Sequence, residues 1–223
     1  MFRWLPEMVS TYGGEIDSIM YLIYAITGVW FFLTYGAMAL FLILYRRREG
    51  HRATYIEGNR LREAAWILIP GLIVLLLDLW IDFRGGEVWA KVKGHVPPSD
   101  LLVQVTGKQF NWEILYPGPD GQFGTGDDLQ LDNELHVPVN KVVRVILKSK
   151  DVIHSFFLPH LRLKQDAVPG RAIEAWFEAT KPGRYELPCA ELCGFGHSGM
   201  KGFLIVHPPD EYEKWVREQW SSS

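Results

Sequence analysis

Cysteine is nearly missing from this chain: it has 2 in 223 residues. That excludes a disulfide framework, and no second cysteine pair exists to complete a structural zinc site. No Cys-x-x-Cys-His run occurs, which excludes a c-type haem attached to this chain. A charge excess is missing too. With 23 Lys and Arg against 26 Asp and Glu, the net charge is −3, and nucleic acid is not an implied partner. There is no internal repeat and no extended low-complexity tract. The N-terminus, Met1-Phe-Arg-Trp-Leu-Pro-Glu7, lacks a short apolar run followed by a small-residue cleavage site, so it does not read as a signal peptide.

Apolar and aromatic residues are abundant instead, with 9 Trp and 12 Phe, as expected at membrane interfaces. Ile19 to Tyr45 is continuously apolar or weakly polar. As a helix it extends about 40 Å, enough to cross a bilayer with tilt. Ala64 to Ile81 reads as a second span, interrupted by Pro70 and Asp78. Arg46, Arg47, Arg48, Arg52, Arg60 and Arg62 fall between the two, and positive charge on a short loop places it in the cytoplasm. The spans then form an antiparallel hairpin with both termini on the outer face. Asp78 is an intramembrane carboxylate, a mark of function by default, without an assignable role.

The expected organisation is an outer N-terminal segment at 1–18, a transmembrane hairpin at 19–83 with spans at 19–45 and 64–81, and a polar connector at 84–100. A β domain at 101–208 and a helix with tail at 209–223 follow. Within the β domain, runs starting at Leu101, Val142, Ala172 and Gly202 are rich in β-branched and apolar residues and separated by Gly, Pro and Asp. Strands at this spacing predict a sandwich or small barrel. Pro209 to Trp220 predicts a short helix with Tyr212, Trp215 and Val216 on one face. Pro117 to Asp128 is Gly- and Asp-rich and reads as a turn-rich loop between strands.

The two cysteines sit together in Cys189-Ala-Glu-Leu-Cys193-Gly-Phe-Gly-His197-Ser-Gly-Met200. Thiolate, thioether and imidazole are the donors that select copper over hard cations. A disulfide across so short a loop stabilises little. A second imidazole, His154, lies upstream in Asp151-Val-Ile-His154-Ser. A blue-copper site uses one Cys, two His and a weak axial ligand, so this set has one sulfur too many. Two thiolates can instead bridge two copper ions, each keeping one histidine and one weak ligand. Met200 serves one, and the backbone carbonyl of Glu191 is placed to serve the other.

These spacings resemble the dinuclear copper (CuA) loop of subunit II of haem–copper cytochrome c oxidases. Asp151-Val-Ile-His154-Ser-Phe156 resembles that family's first histidine segment, and Lys164-Gln-Asp166-Ala-Val-Pro-Gly170-Arg171 resembles its stretch between the ligand segments. The resemblance implies a cupredoxin-like Greek key behind the two-helix anchor, and copper held by His154, Cys189, Glu191, Cys193, His197 and Met200. It implies a magnesium ion on the Glu191 side chain at the boundary with subunit I, where the haems reside. Glu63 in Glu63-Ala-Ala-Trp66 matches the glutamate at the mouth of the K proton pathway. Phe110 stands where the family usually has its electron-accepting tryptophan, and Trp112 matches the next tryptophan of the pattern. The implied function is acceptance of electrons from cytochrome c, or from a complex-bound cytochrome, and delivery to haem in subunit I for oxygen reduction coupled to proton pumping. The implied partners are subunit I, the other oxidase subunits and the lipid membrane. The unfamiliar insertion at 117–128 favours a bacterial plasma membrane. Alternatives are the CuA-bearing subunit of a nitric oxide reductase and a membrane-anchored copper-delivery protein.

Overall fold

The computed structural model describes residues 4–220. Met1–Arg3 and Ser221–Ser223, the extremes of the expected N-terminal segment and tail, lie outside the described residues. The chain divides into two compact units, Glu15–Ala90 and the remainder.

The first unit is a pair of helices, with α1 at Gly13–Leu44 and α2 at Leu61–Trp89. The 32 residues of α1 rise about 48 Å. Both helices are long and apolar enough to cross a membrane. Phe32, Leu42 and Ile43 on α1, and Trp66, Ile67 and Leu72 on α2, are exposed large apolar side chains. A helix apolar over most of its circumference offers no polar face to water and fits lipid. Pro70 lies inside α2 without ending it.

The helices outrun the expected boundaries at the start of α1 and the end of α2. α1 starts at Gly13, where the Gly13 N–H donates to Ser10 Oγ at 3.1 Å, a hydroxyl cap that fixes the first turn. The polar connector expected from residue 84 is corrected in its first part. α2 continues through Gly85 and Gly86 to Trp89 and closes in a π-helical turn, Ala90–Gly94. Two glycines disfavour a helix by only about 1 kcal/mol each. Arg84 and Glu87, one turn apart, pair at 3.1 Å and support the same stretch.

Among the described residues, the second unit holds ten strands and the α-helix α3: β1 Leu101–Lys108, β2 Asn111–Tyr116, β3 Leu129–Asp132, β4 Glu134–Pro138, β5 Val142–Ser149, β6 His154–Leu158, β7 Leu163–Ala167, β8 Ile173–Glu178, β9 Gly183–Pro188, β10 Lys201–His207 and α3 Pro209–Trp220. One sheet runs in the order β3-β2-β1-β5-β8, a second runs β4-β10-β9, and β6 pairs with β7. Most neighbours are antiparallel, but β1 lies parallel to β5 and β4 parallel to β10. Parallel pairs between strands distant in sequence are the mark of crossing connections rather than simple hairpins. Alternation carries the packing. On β5, Val143, Val145 and Leu147 are buried, and they meet Val103 and Val105 of β1 and Leu135, Val137, Leu204 and Val206 of the second sheet in one core. Asn133 stitches the two sheets: its Oδ1 accepts from Trp112 N at 2.9 Å and its carbonyl from Phe203 N at 2.7 Å.

Two attachments complete this unit. The segment before α1 is built into it. Val9 N donates to the His160 carbonyl and Thr180 N to the Val9 carbonyl, both at 2.8 Å. Tyr12 packs edge-on to Trp176 at 5.2 Å, its hydroxyl donating to the Trp176 carbonyl. Helix α3 docks through Trp215, which stacks on the His136 ring at 4.6 Å. His136 Nδ1 and His207 Nε2 share a hydrogen bond of 2.8 Å. Burial lowers both imidazoles below the ordinary histidine range, and for His136 the His207 charge adds to it. These two rings serve helix packing.

Candidate metal centre

The ligand loop hangs between β9 and β10. Cys189 follows the end of β9 and is held there by its N–H to the Met200 carbonyl, 3.0 Å, and by a bridge to Phe156 on β6. That bridge sets the sulfur against the first residue of β6, His154. The two cysteine sulfurs are 3.9 Å apart. His154 Nδ1 lies 4.0 Å from Cys189 Sγ, and His197 Nδ1 lies 3.5 Å from Cys193 Sγ. Met200 Sδ is 3.7 Å from Cys193 Sγ, and the Glu191 carbonyl oxygen is 3.2 Å from Cys189 Sγ. The fold thus gathers all six expected donors, one histidine and one weak donor beside each sulfur. His154, Cys189 and Cys193 place their ligand atoms within 4.8 Å of one another, and all three residues are buried.

The donor set fits a soft metal. A metal–sulfur bond of about 2.3 Å on each side spans a gap of this width. Without metal, burial and the neighbouring Cys189 push the Cys193 thiol up to about 11. A metal ion therefore has to displace protons on binding, and its charge replaces the missing solvent.

Around the donors, the structure supplies what motif spacing did not. Asp151, three residues before His154, accepts the Nε2–H of His154 at 2.7 Å. With the proton on Nε2, the lone pair of Nδ1 faces the sulfurs. Asp151 also accepts from Gln109 N and from Val152 N, each at 2.7 Å. Burial raises this carboxyl, but the hydrogen bonds from His154, Gln109 and Val152 outweigh it and hold Asp151 below the ordinary carboxylate range. Gln109 Nε2 donates to the Cys193 carbonyl at 2.5 Å. One turn between β1 and β2 therefore grips both ligand segments. The Asp-x-x-His spacing was the available signal for Asp151; nothing in the sequence marks Gln109. Asp151→Asn is expected to lower copper affinity roughly 10–100-fold with the fold intact, checked by competition against a chelator. Unchanged affinity would leave Asp151 without a role at the centre.

Two glycines make room. A Cβ on Gly107 would sit 2.7 Å from the His154 ring, and one on Gly196 would sit 2.5 Å from the Phe110 ring. Phe110 therefore packs closely against the ligand loop and is 39% exposed. Trp112 differs: it is fully buried, edge-on to His154 and Phe156 at 5.9 Å each. Its indole N–H has no partner among the described residues. Leu192 and Phe195 project from the loop into solvent. The Glu191 side chain is exposed as well. Glu63 lies in the first turn of α2, with one carboxyl oxygen buried and unpartnered among the described residues.

Two apolar helices and a layered β domain with a buried His/Cys/Cys cluster define a class, the membrane-anchored, cupredoxin-like metalloproteins. Residues 101–206 match the profile of the cytochrome c oxidase subunit II periplasmic domain. The cytochrome c oxidase subunit 2 of Thermostichus vulcanus is 34% identical, the alignment covering 96% of this chain and 78% of that protein. The alternative cytochrome c oxidase subunit 2 of Bradyrhizobium diazoefficiens is 30% identical over 97% of this chain and 83% of its own. Among solved structures, the periplasmic domain of oxidase subunit II (CoxB) of Bradyrhizobium japonicum superposes with a TM-score of 0.51 at 38% identity, covering 57% of this chain and 99% of that one. The chain belongs to the cytochrome c oxidase subunit II family. It is a component of a haem–copper oxidase complex, and membership implies copper binding.

Proposed function

We propose that this chain takes electrons one at a time from a cytochrome c, or from a complex-bound cytochrome, and delivers them to haem in subunit I. Oxygen is reduced there and protons are pumped. The observation that carries the reading is the pairing at the two sulfurs: each of Cys189 and Cys193 has its own imidazole and its own weak donor. The donors His154, Cys189, Glu191 (by carbonyl), Cys193, His197 and Met200 would hold two copper ions. When bound, that pair supplies a one-electron carrier whose geometry changes little with its charge.

The chain's own residues do the rest. Burial of His154, Cys189, Cys193 and Met200 keeps water from the centre, and Asp151 and Gln109 fix the ligand directions. Phe110 and Trp112 form the electron-uptake side: one ring lies on the ligand loop, and the other stands behind His154. The exposed Glu191 carboxylate points to a magnesium ion shared with subunit I, since magnesium takes one carboxylate plus water and partner ligands. Its loss in Glu191→Gln, read as a vanished manganese resonance in the substituted complex, is the expected result; a retained signal removes the role. Glu63, with a desolvated carboxyl oxygen at the start of α2, would collect protons for the K pathway. Glu63→Gln should slow proton uptake during reduction of the complex, and unchanged kinetics would assign that task elsewhere.

We place the β domain on the outer face of a bacterial plasma membrane. The arginine-rich loop joining α1 to α2 marks the cytoplasmic side, and a chain that crosses twice carries the segments before α1 and after α2 on the opposite face. The test of the whole reading is purification of the complex with metal, haem and subunit analysis. Two coppers on this chain and oxidation of reduced cytochrome are expected. A single copper, or no haem-bearing partner, overturns it.

A further inference from the structure

The far end of α1 carries two adjoining cavities that the electron path does not use. One is an apolar groove of about 320 Å³ lined by Met38, Phe41, Leu42, Tyr45 and Arg46. The first four recur at the spacing that lines up one helix face, and Phe41 and Tyr45 touch edge-on at 5.8 Å. The other cavity, about 470 Å³, shares Tyr45 and Arg46 and is walled by Arg47, Arg48, Arg52 and His51. No ion pair joins Arg46, Arg47, Arg48 or Arg52 to a carboxylate among the described residues. Four guanidinium groups around one space repel one another until an anion sits among them.

We propose that this end of α1 is a binding site for an anionic phospholipid: the arginines hold the phosphate, and an acyl chain lies along the Met38–Tyr45 face. The proposal rests on the reading of α1 as a membrane span. Orientation of the hairpin needs only positive charge in this loop. Planar forks that take phosphate oxygens two at a time go beyond that need. The adjoining apolar groove, which shares Tyr45 and Arg46 with the arginine-walled cavity, distinguishes a lipid from a free phosphate, which has no apolar part to bury. Tyr45, common to both spaces, sits where an aromatic ring marks the boundary between acyl chains and headgroups.

The test uses the full-length chain in mild detergent, exposed to dioleoylphosphatidylglycerol, dioleoylphosphatidylcholine or inorganic phosphate, with bound lipid counted by native mass spectrometry. Retention of one phosphatidylglycerol per chain, at about tenfold preference over phosphatidylcholine, is expected, and inorganic phosphate should not displace it. Replacing Arg46, Arg47, Arg48 and Arg52 together by Lys keeps the charge, and hence the insertion, but removes the forks. Retention should then fall about tenfold. Phe41→Ala should weaken the lipid without changing phosphate binding. Equal retention of the two lipids, an undiminished lysine variant, or displacement by inorganic phosphate each overturn the proposal. Release of the chain from membranes by alkaline carbonate would instead overturn the membrane reading. A chain that resists carbonate yet shows no lipid preference sinks the lipid site alone.

Discussion

Cys193→Ser in the full-length chain is expected to abolish the proposed paired copper centre. The serine hydroxyl is a hard, protonated donor, whereas the proposed centre needs a soft thiolate shared between ions. Cys193 Sγ touches three other donors: Cys189 Sγ at 3.9 Å, His197 Nδ1 at 3.5 Å and Met200 Sδ at 3.7 Å. Its removal leaves His197 and Met200 without the atom that joins them to the rest. Affinity should drop by more than the roughly 10–100-fold that follows loss of an outer hydrogen-bonding partner. Paramagnetic resonance after copper loading is the measurement. The hyperfine pattern of two equivalent nuclei should give way to that of a single ion or to none. Because Cys193 is buried in the apolar core cluster, the hydroxyl also destabilises the loop, by about 1–3 kcal/mol if it finds no partner. Circular dichroism separates that effect from ligand loss. A variant that still binds two coppers with a shared electron would remove the bridging role altogether.

The second large effect separates Trp112 from Phe110. Trp112→Ala deletes a fully buried indole that packs against His154 and Phe156. A loss of about 3–5 kcal/mol is expected, a large share of the stability of a typical domain. Denaturant titration of the full-length chain reads it, and Trp112→Phe gives a milder companion that keeps the fold. Phe110→Ala should change stability by only about 0.5 kcal/mol, since the ring is part-exposed and rests on glycine backbone. It should nonetheless slow electron uptake from a reduced cytochrome in the assembled complex. If Trp112→Ala is as mild as Phe110→Ala, the packing reading of the indole fails. If uptake is unchanged in Phe110→Ala, electrons arrive by another surface, and exposed Phe195 is the next ring to test.

Much of the protein is written locally, and those parts were readable. Cys189 to Met200 spans only twelve residues, so the expected loop donors could be read together from the sequence. The two spans are long apolar runs, and lipid rewards that composition without regard to distant residues. Four strands and α3 follow from short-range alternation, and α3 begins and ends where the pattern does. Other features depend on what comes next to what in space. The helix ends moved outward because a Ser10 hydroxyl and an Arg84–Glu87 pair support turns that composition reads as polar connector.

The sequence by itself determined the chemistry: soft donors at fixed intervals, and apolar lengths matched to a bilayer. Only the tertiary structure decided that His154, 35 positions before Cys189, meets its sulfur, and that Gln109, in the turn between β1 and β2, ties Asp151 to the Cys193 carbonyl. It also decided that Trp112 is fully buried while Phe110, two positions earlier, is part-exposed. The physical reason is range. Donor type and hydrophobic period act between near neighbours along the chain, whereas second contacts and burial arise when parallel crossings bring β1, β5 and the ligand loop together.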